Sequence, residues 1–126
     1  MLRGLVLDYA GVLTDPDAAE LLAAVDVLRE RGIRTALLSN ADGGAGRGHL
    51  ARHFDAFVFS GEVGIAKPDP RVFRLTAERL GLPTTGCVMV DDSRANVDGA
   101  AAAGMVGVHH TSVAGTLAEL SALFPA

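Results

Sequence analysis

The chain has 126 residues and a mass of 13.0 kDa, the size of one domain, which leaves little room for a second folding unit. Hydrophobic residues make up 49% and charged residues 21%, which provides for a packed core and argues against disorder. Fifteen acids against 11 bases leave a net charge of −4, with no basic run longer than a pair, and this argues against a nucleic-acid or anionic-membrane surface.

Leu5-Val6-Leu7 is a short apolar run closed by Asp8 and bounded by Gly11, the pattern of a buried strand whose carboxyl end presents an aspartate. Asp15-Pro16-Asp17 opens a helix, with acids in its first turn. Leu21, Leu22, Val25 and Leu28 recur at three- and four-residue spacing, and Gly32 closes the helix behind Arg29 and Arg31. A second strand is expected from Ile33 to Leu38, ending in Ser39-Asn40. A flexible connector over Asp42–Gly46, with Arg47 beyond it, leads to a short helical piece around Leu50 to Phe54. Ala56 to Phe59 is a third strand.

Lys67-Pro68-Asp69-Pro70 starts a helix carrying Val72, Phe73, Leu75 and Leu80, stopped by Gly81 and Pro83. Cys87 to Val90 is a fourth strand, ending in Asp91-Asp92. Ser93 to Gly104 is a helix whose start either aspartate is able to cap, and its alanine run 100–103 is expected to pack on the sheet. Val106 to Val108 is a fifth strand and Val113 to Leu123 a closing helix. Wholly apolar strands alternating with helices predict an α/β domain over 1–126, a three-layer, doubly wound (Rossmann-like) sheet of about five parallel strands with helices on both faces.

In such a sheet the binding crevice lies beyond the carboxyl ends of the strands, and those ends carry Asp8, Ser39 with Asn40, and Asp91-Asp92. Lys67, the one lysine beside ten arginines, heads a helix leading away from the same rim. Each residue alone is an ordinary cap or turn residue; their placement on one rim points to a site.

Other features have structural readings. Cys87 rules out an internal disulfide and sits in a buried strand as a small hydrophobe. His109-His110 face opposite ways on a strand, and His49 and His53, at i and i+4, lack further ligands and are expected on a helix surface. The apolar run at the start is too short for a signal peptide, and the uncharged stretch Gly99–Ala118 is too rich in glycine, histidine and hydroxyls to span a membrane, so a cytoplasmic location is expected. Arginine in place of lysine, with abundant Ala, Gly and Val, is compatible with a GC-rich bacterial genome.

Four segments resemble the motifs of the haloacid dehalogenase-like (HAD) hydrolases, in order and across almost the whole chain: Leu5 to Asp15, Leu37-Leu38-Ser39-Asn40, Lys67 to Phe73, and Val90 to Val97. The run from Val90 through Met105 is most similar to the amino-terminal phosphatase domains of epoxide hydrolases. The resemblance implies a nucleophile at Asp8, phosphoryl contacts from Ser39 and Lys67, and a hydrogen bond from Asn40 to substrate or to Asp8. It also implies Mg²⁺ held by Asp8, the backbone carbonyl of Ala10 and Asp92, with Asp91 as a further ligand or as the orienter of Lys67. The substrate class implied is a phosphorylated compound, small or macromolecular.

Where phosphatases of the family carry a second aspartate, as general acid and base, this chain has Ala10, so a factor of roughly 10²–10⁴ in rate is expected to be lost. Dehalogenation is the weaker expectation, since the tyrosine that dehalogenases place there is here Tyr9, one residue early and expected to pack. A retired domain that binds a phosphorylated ligand or a protein partner is the alternative from a different class. Thirty-one positions separate Asp8 from Ser39 and 28 separate Ser39 from Lys67, too few for a cap domain, so a second copy of the chain is a candidate lid.

Overall fold

The computed structural model describes residues 1–43 and 47–126. Five parallel strands, β1 (Gly4–Leu7), β2 (Arg34–Ser39), β3 (Ala56–Phe59), β4 (Cys87–Asp91) and β5 (Val106–His109), form one sheet in the order β3-β2-β1-β4-β5. Apart from Arg34, Thr35, Ser39 and Asp91 toward their ends, the central strands are apolar because both their faces are covered. Leu5, Leu7, Leu37, Val88 and Val90 point to one face, where they meet Leu21, Val25 and Leu28 of α1 (Ala18–Glu30). Val6, Leu38, Val58 and Met89 point to the other, against Val72, Phe73 and Ala77. That strict alternation divides the core into two layers.

Between β2 and β3 stands α2 (Arg47–Leu50), followed by one 3₁₀ turn. The second face is covered by α4 (Pro70–Arg79) and α5 (Arg94–Ala102), while α6 (Val113–Leu123) joins α1 on the first. A single turn, α3 (Ser60–Val63), follows β3. The 3₁₀ turn Ala51–His53 falls within the short helical piece expected around Leu50 to Phe54, whereas α3 and the 3₁₀ turn Thr84–Gly86 are too short to carry a periodic apolar pattern. No cap domain stands between β1 and α4 among the described residues, so the expected capless α/β architecture is the observed one.

Several boundaries differ from expectation for local reasons. α1 begins at Ala18 rather than at Asp15, because the Asp15 carboxylate accepts the Asp17 N–H at 2.9 Å and holds a turn ahead of the helix. α5 begins after Ser93, whose own hydroxyl accepts the Asn96 N–H, so neither Asp91 nor Asp92 is the helix cap. Of the alanine run, only Ala100 is fully buried; Ala101 and Ala102 lie on the solvent side of α5. The connector expected over Asp42–Gly46 lies partly outside the described residues, which omit 44–46.

The register fixes the site. Leu7 lies opposite Leu37 of β2 and Val90 of β4, and the Asp8 N–H donates to the Val90 carbonyl at 3.0 Å. The nucleophile candidate therefore emerges between the ends of β2 and β4, where the strand order turns from β1 to its two neighbours.

Candidate active site

Asp8, Lys67 and Asp91 converge although 59 positions separate Asp8 from Lys67 and a further 24 separate Lys67 from Asp91. The Lys67 ammonium donates to Asp8 Oδ1 at 2.8 Å and to Asp91 Oδ2 at 2.7 Å, with its side chain 1% exposed. Two of its three protons are thus committed and one remains for a bound oxygen. Asp91 is fully buried and engaged at both oxygens: Oδ1 accepts the Ser93 N–H at 2.9 Å, and Oδ2 accepts the Asn96 amide at 3.2 Å as well as the ammonium. The Asp91 carboxylate holds the Lys67 ammonium and also lies within the set of carboxylates close enough together to hold a cation. Burial raises the Asp8 carboxyl from 3.8 to about 6, against the opposing pull of the Lys67 ammonium.

Asp92 is exposed and crosses over Gly11. A Cβ on Gly11 would stand 2.1 Å from Asp92 Oδ2, and the backbone there has φ +86°, so only glycine fits this turn. Asp8, Asp91 and Asp92 each bring a carboxylate oxygen within 4.8 Å of the others. Three carboxylates against one ammonium leave excess negative charge on hard oxygen donors, a set that suits Mg²⁺. Ala10, with φ −67° and ψ 125°, is exposed on the same turn and adds only a methyl group.

Ser39 ends β2 and is buried. Asn40 is used differently from expectation: its Oδ1 accepts the Lys67 backbone N–H at 2.9 Å, and its Nδ2 donates to the Lys67 carbonyl at 3.0 Å. It grips the backbone of the lysine from both sides. Two further contributors escaped the sequence reading. Asn96 braces Asp91, and Gly99 of α5 lets the Lys67-Pro68 segment approach, since a Cβ there would lie 2.5 Å from the Pro68 carbonyl. Asn96 lies within the fourth motif, but nothing in its spacing announces the bond to Asp91.

The remaining expectations resolve simply. Tyr9 packs against the first core layer. His109 Nε2 lies 2.9 Å from the Asp92 carbonyl and its Nδ1 faces Arg94, whereas His110 is buried between Thr116 and Asp15. His53 is not on the surface: it is buried, 2.6 Å from Asp26, while His49 is exposed. Burial pushes the Cys87 thiol up to about 11, leaving it an inert packing group. Arg47 stacks over Phe59, 4.8 Å from the ring centre, and pairs with Glu62. A cleft of 870 Å³ lined by Arg29, Arg34, Arg52 and Arg79 opens at the amino ends of β2 and β3, the end of the sheet away from Asp8.

A model of the haloacid dehalogenase-like hydrolases matches residues 2–104. The chain is 40% identical over 102 residues to the phosphoserine phosphatase of Thermus thermophilus, covering 74% of this chain and 39% of that protein. It is 30% identical over 109 residues to bifunctional epoxide hydrolase 2 of Mus musculus, covering 79% of this chain and 20% of that protein. The chain thus spans less than half the length of these relatives. Among solved structures, an uncharacterised protein of Corynebacterium glutamicum superposes with a TM-score of 0.92 at 37% identity, over 98% of this chain and 96% of its own. A HAD family enzyme of Bacteroides thetaiotaomicron, solved with magnesium and inorganic phosphate, superposes with a TM-score of 0.63 at 22% identity, over 75% of this chain and 54% of its own.

Proposed function

We propose, because this chain belongs to the haloacid dehalogenase-like hydrolases, that it hydrolyses a phosphate monoester or an acyl phosphate through an aspartyl-phosphate on Asp8. The observation that carries the reading is the Lys67 ammonium, held within 2.8 Å of Asp8 and 2.7 Å of Asp91 beside the exposed Asp92 carboxylate. A phosphatase relative and a neighbour solved with magnesium and phosphate support it.

Asp8 Oδ attacks phosphorus, the leaving group departs with the bonding pair, and water then attacks the aspartyl-phosphate to release phosphate. The Ser39 hydroxyl and the uncommitted Lys67 proton hold phosphoryl oxygens, and Asn40 keeps Lys67 in place. Asp8, Asp92 and the Ala10 carbonyl would hold Mg²⁺, which when bound offsets the repulsion between carboxylate and phosphoryl group. With Ala10 in place of an acid, leaving groups of low basicity react best and turnover is slow. The open site accepts a small or a macromolecular phosphate, or takes a second copy of the chain as its cover. No helix among the described residues is long and apolar enough to cross a membrane, and we place the activity in the cytoplasm.

The test is Mg²⁺-dependent phosphate release from p-nitrophenyl phosphate and acetyl phosphate. Release by the wild type and none by folded Asp8→Asn is the expected outcome. Equal behaviour of the two proteins would favour the second reading, a domain that binds a phosphorylated ligand or partner, for which Ala10 is the specific observation.

A further inference from the structure

We propose that the arginine-lined cleft at the amino ends of β2 and β3 is a second binding site, separate from Asp8, for a compact anion carrying two or three adjoining phosphoryl groups. Arg29 comes from the last turn of α1, Arg34 from the first residue of β2, Arg52 from the 3₁₀ turn ahead of β3 and Arg79 from the end of α4. Four of the chain's ten arginines thus meet on one cleft of 870 Å³. They face three carboxylates there, Asp26, Glu30 and Asp55, so the cleft is net positive on a chain of net charge −4.

The guanidinium groups are held by one edge and open on another. Arg34 Nη1 donates to the Leu80 carbonyl at 2.9 Å, and Arg29 donates to the Arg52 carbonyl and, at 2.8 Å, to Asp55. Arg52 Nε lies 3.3 Å from His53 Nε2, and Arg79 Nη1 lies 3.5 Å from the Phe57 carbonyl. These bonds fix where each planar fork points. Among the described residues, Arg34 Nη2, Arg79 Nη2 and both Nη atoms of Arg52 make no hydrogen bond within the chain. Paired donors of this kind match phosphoryl oxygens two at a time, and the fold has already met part of the ordering cost. The acids are the more committed partners: Asp55 accepts from Arg29 and from the Thr35 N–H at 2.8 Å, and Asp26 lies 2.6 Å from His53 Nδ1.

The lining selects the ligand. It contains no aromatic ring on which a base could stack, and its apolar part is Ile33 and Leu80. A single phosphate reaches one fork, whereas adjoining phosphoryl groups span more than one. A long polyanion is disfavoured, because Asp26 and Glu30 stand at the same cleft and repel a chain running across them. Arg34 and Ser39 lie at opposite ends of β2, roughly 16 Å apart along the strand, so the cleft fills without touching the Asp8 rim.

The full chain is titrated calorimetrically in EDTA with pyrophosphate, tripolyphosphate and ATP. Without a divalent cation the carboxylates at Asp8 repel anions, which leaves the cleft as the site under test. The expected result is one tripolyphosphate per chain, pyrophosphate also bound, ATP no tighter than tripolyphosphate, and an affinity that falls with added salt. Asp8→Asn should bind as the wild type does. Arg52→Gln/Arg79→Gln, at two exposed positions away from Asp8, should bind at least roughly tenfold more weakly and release phosphate from p-nitrophenyl phosphate at the wild-type level. In the wild type, which needs no variant to fold, the side-chain Nε–H NMR signals of Arg52 and Arg79 should shift with tripolyphosphate while that of Arg94, beside Asp92, stays in place. No binding, binding lost in Asp8→Asn, binding unchanged in the double arginine variant, or a shift at Arg94 alone each overturns the site. Markedly tighter ATP overturns the ligand class, and full affinity in Arg52→Lys/Arg79→Lys overturns recognition by paired donors.

Discussion

Lys67 shows how one buried charge organises a site. Its ammonium balances one of two carboxylates in a region from which water is nearly excluded, so removing it strands both. Lys67→Met is expected to abolish phosphate release and to destabilise the fold by about 3–5 kcal/mol, read from denaturant midpoints. Asp8 provides the pH dependence. Its folded-state carboxyl titrates near 6, above the ordinary 3.8, so between these values the folded state binds more protons than the unfolded one. Stability without metal therefore falls as pH rises through roughly 4 to 6 and levels off above. Mg²⁺ at pH 7 should recover that loss, because a cation favours the ionised carboxylates. Thermal melts with EDTA and with Mg²⁺ across that window check both signs, and a melting temperature indifferent to Mg²⁺ at pH 7 would count against the metal assignment.

At the scale of elements, the close approach of α5 to the segment ahead of α4 is what delivers Lys67 to the rim. Gly99 makes this contact, with the Pro68 carbonyl where its Cβ would be. Gly99→Ala is expected to push the Lys67-Pro68 segment outward, costing about 1–3 kcal/mol and lowering turnover more than substrate affinity. The grip of Asn40 on the Lys67 backbone works from the other side. Asn40→Ala should cost about 1–3 kcal/mol through the two backbone groups left unpaired. It should also reduce turnover, measured as phosphate release, with a smaller effect than Lys67→Met. The elements themselves were legible because their signals are local: contiguous apolar runs for strands covered on both faces, three- and four-residue spacing for α1, a proline and an aspartate at the head of α4. Single turns such as α3 were not, since four residues cannot express a period.

For the molecule as a whole, two core layers share one sheet, so neither forms without the other. Phe73, fully buried in the layer under α4, is expected to cost about 3–5 kcal/mol when replaced by alanine. The loss should appear as an earlier but still single cooperative transition by both circular dichroism and fluorescence of a reporter in the opposite layer. Two separate transitions would contradict the shared-sheet account.

By itself the sequence determined the architecture and the rim. The apolar runs dictate five covered strands, and the residues that end them, Asp8, Ser39 and Asp91, are placed on one edge by parallel connection alone. Ala10 in place of an acid is likewise a fact of composition at a position. Which atoms meet was decided only in three dimensions. Asn40 grips the Lys67 backbone, and Asn96 and Gly99 belong to the site at all, because of strand register and the depth to which α5 packs. The physical reason is range. Burial pattern and capping act within a few residues and can be read along the chain. Hydrogen bonds made across 24, 27 and 59 residues depend on differences of an ångström between packed elements, and no local pattern encodes them.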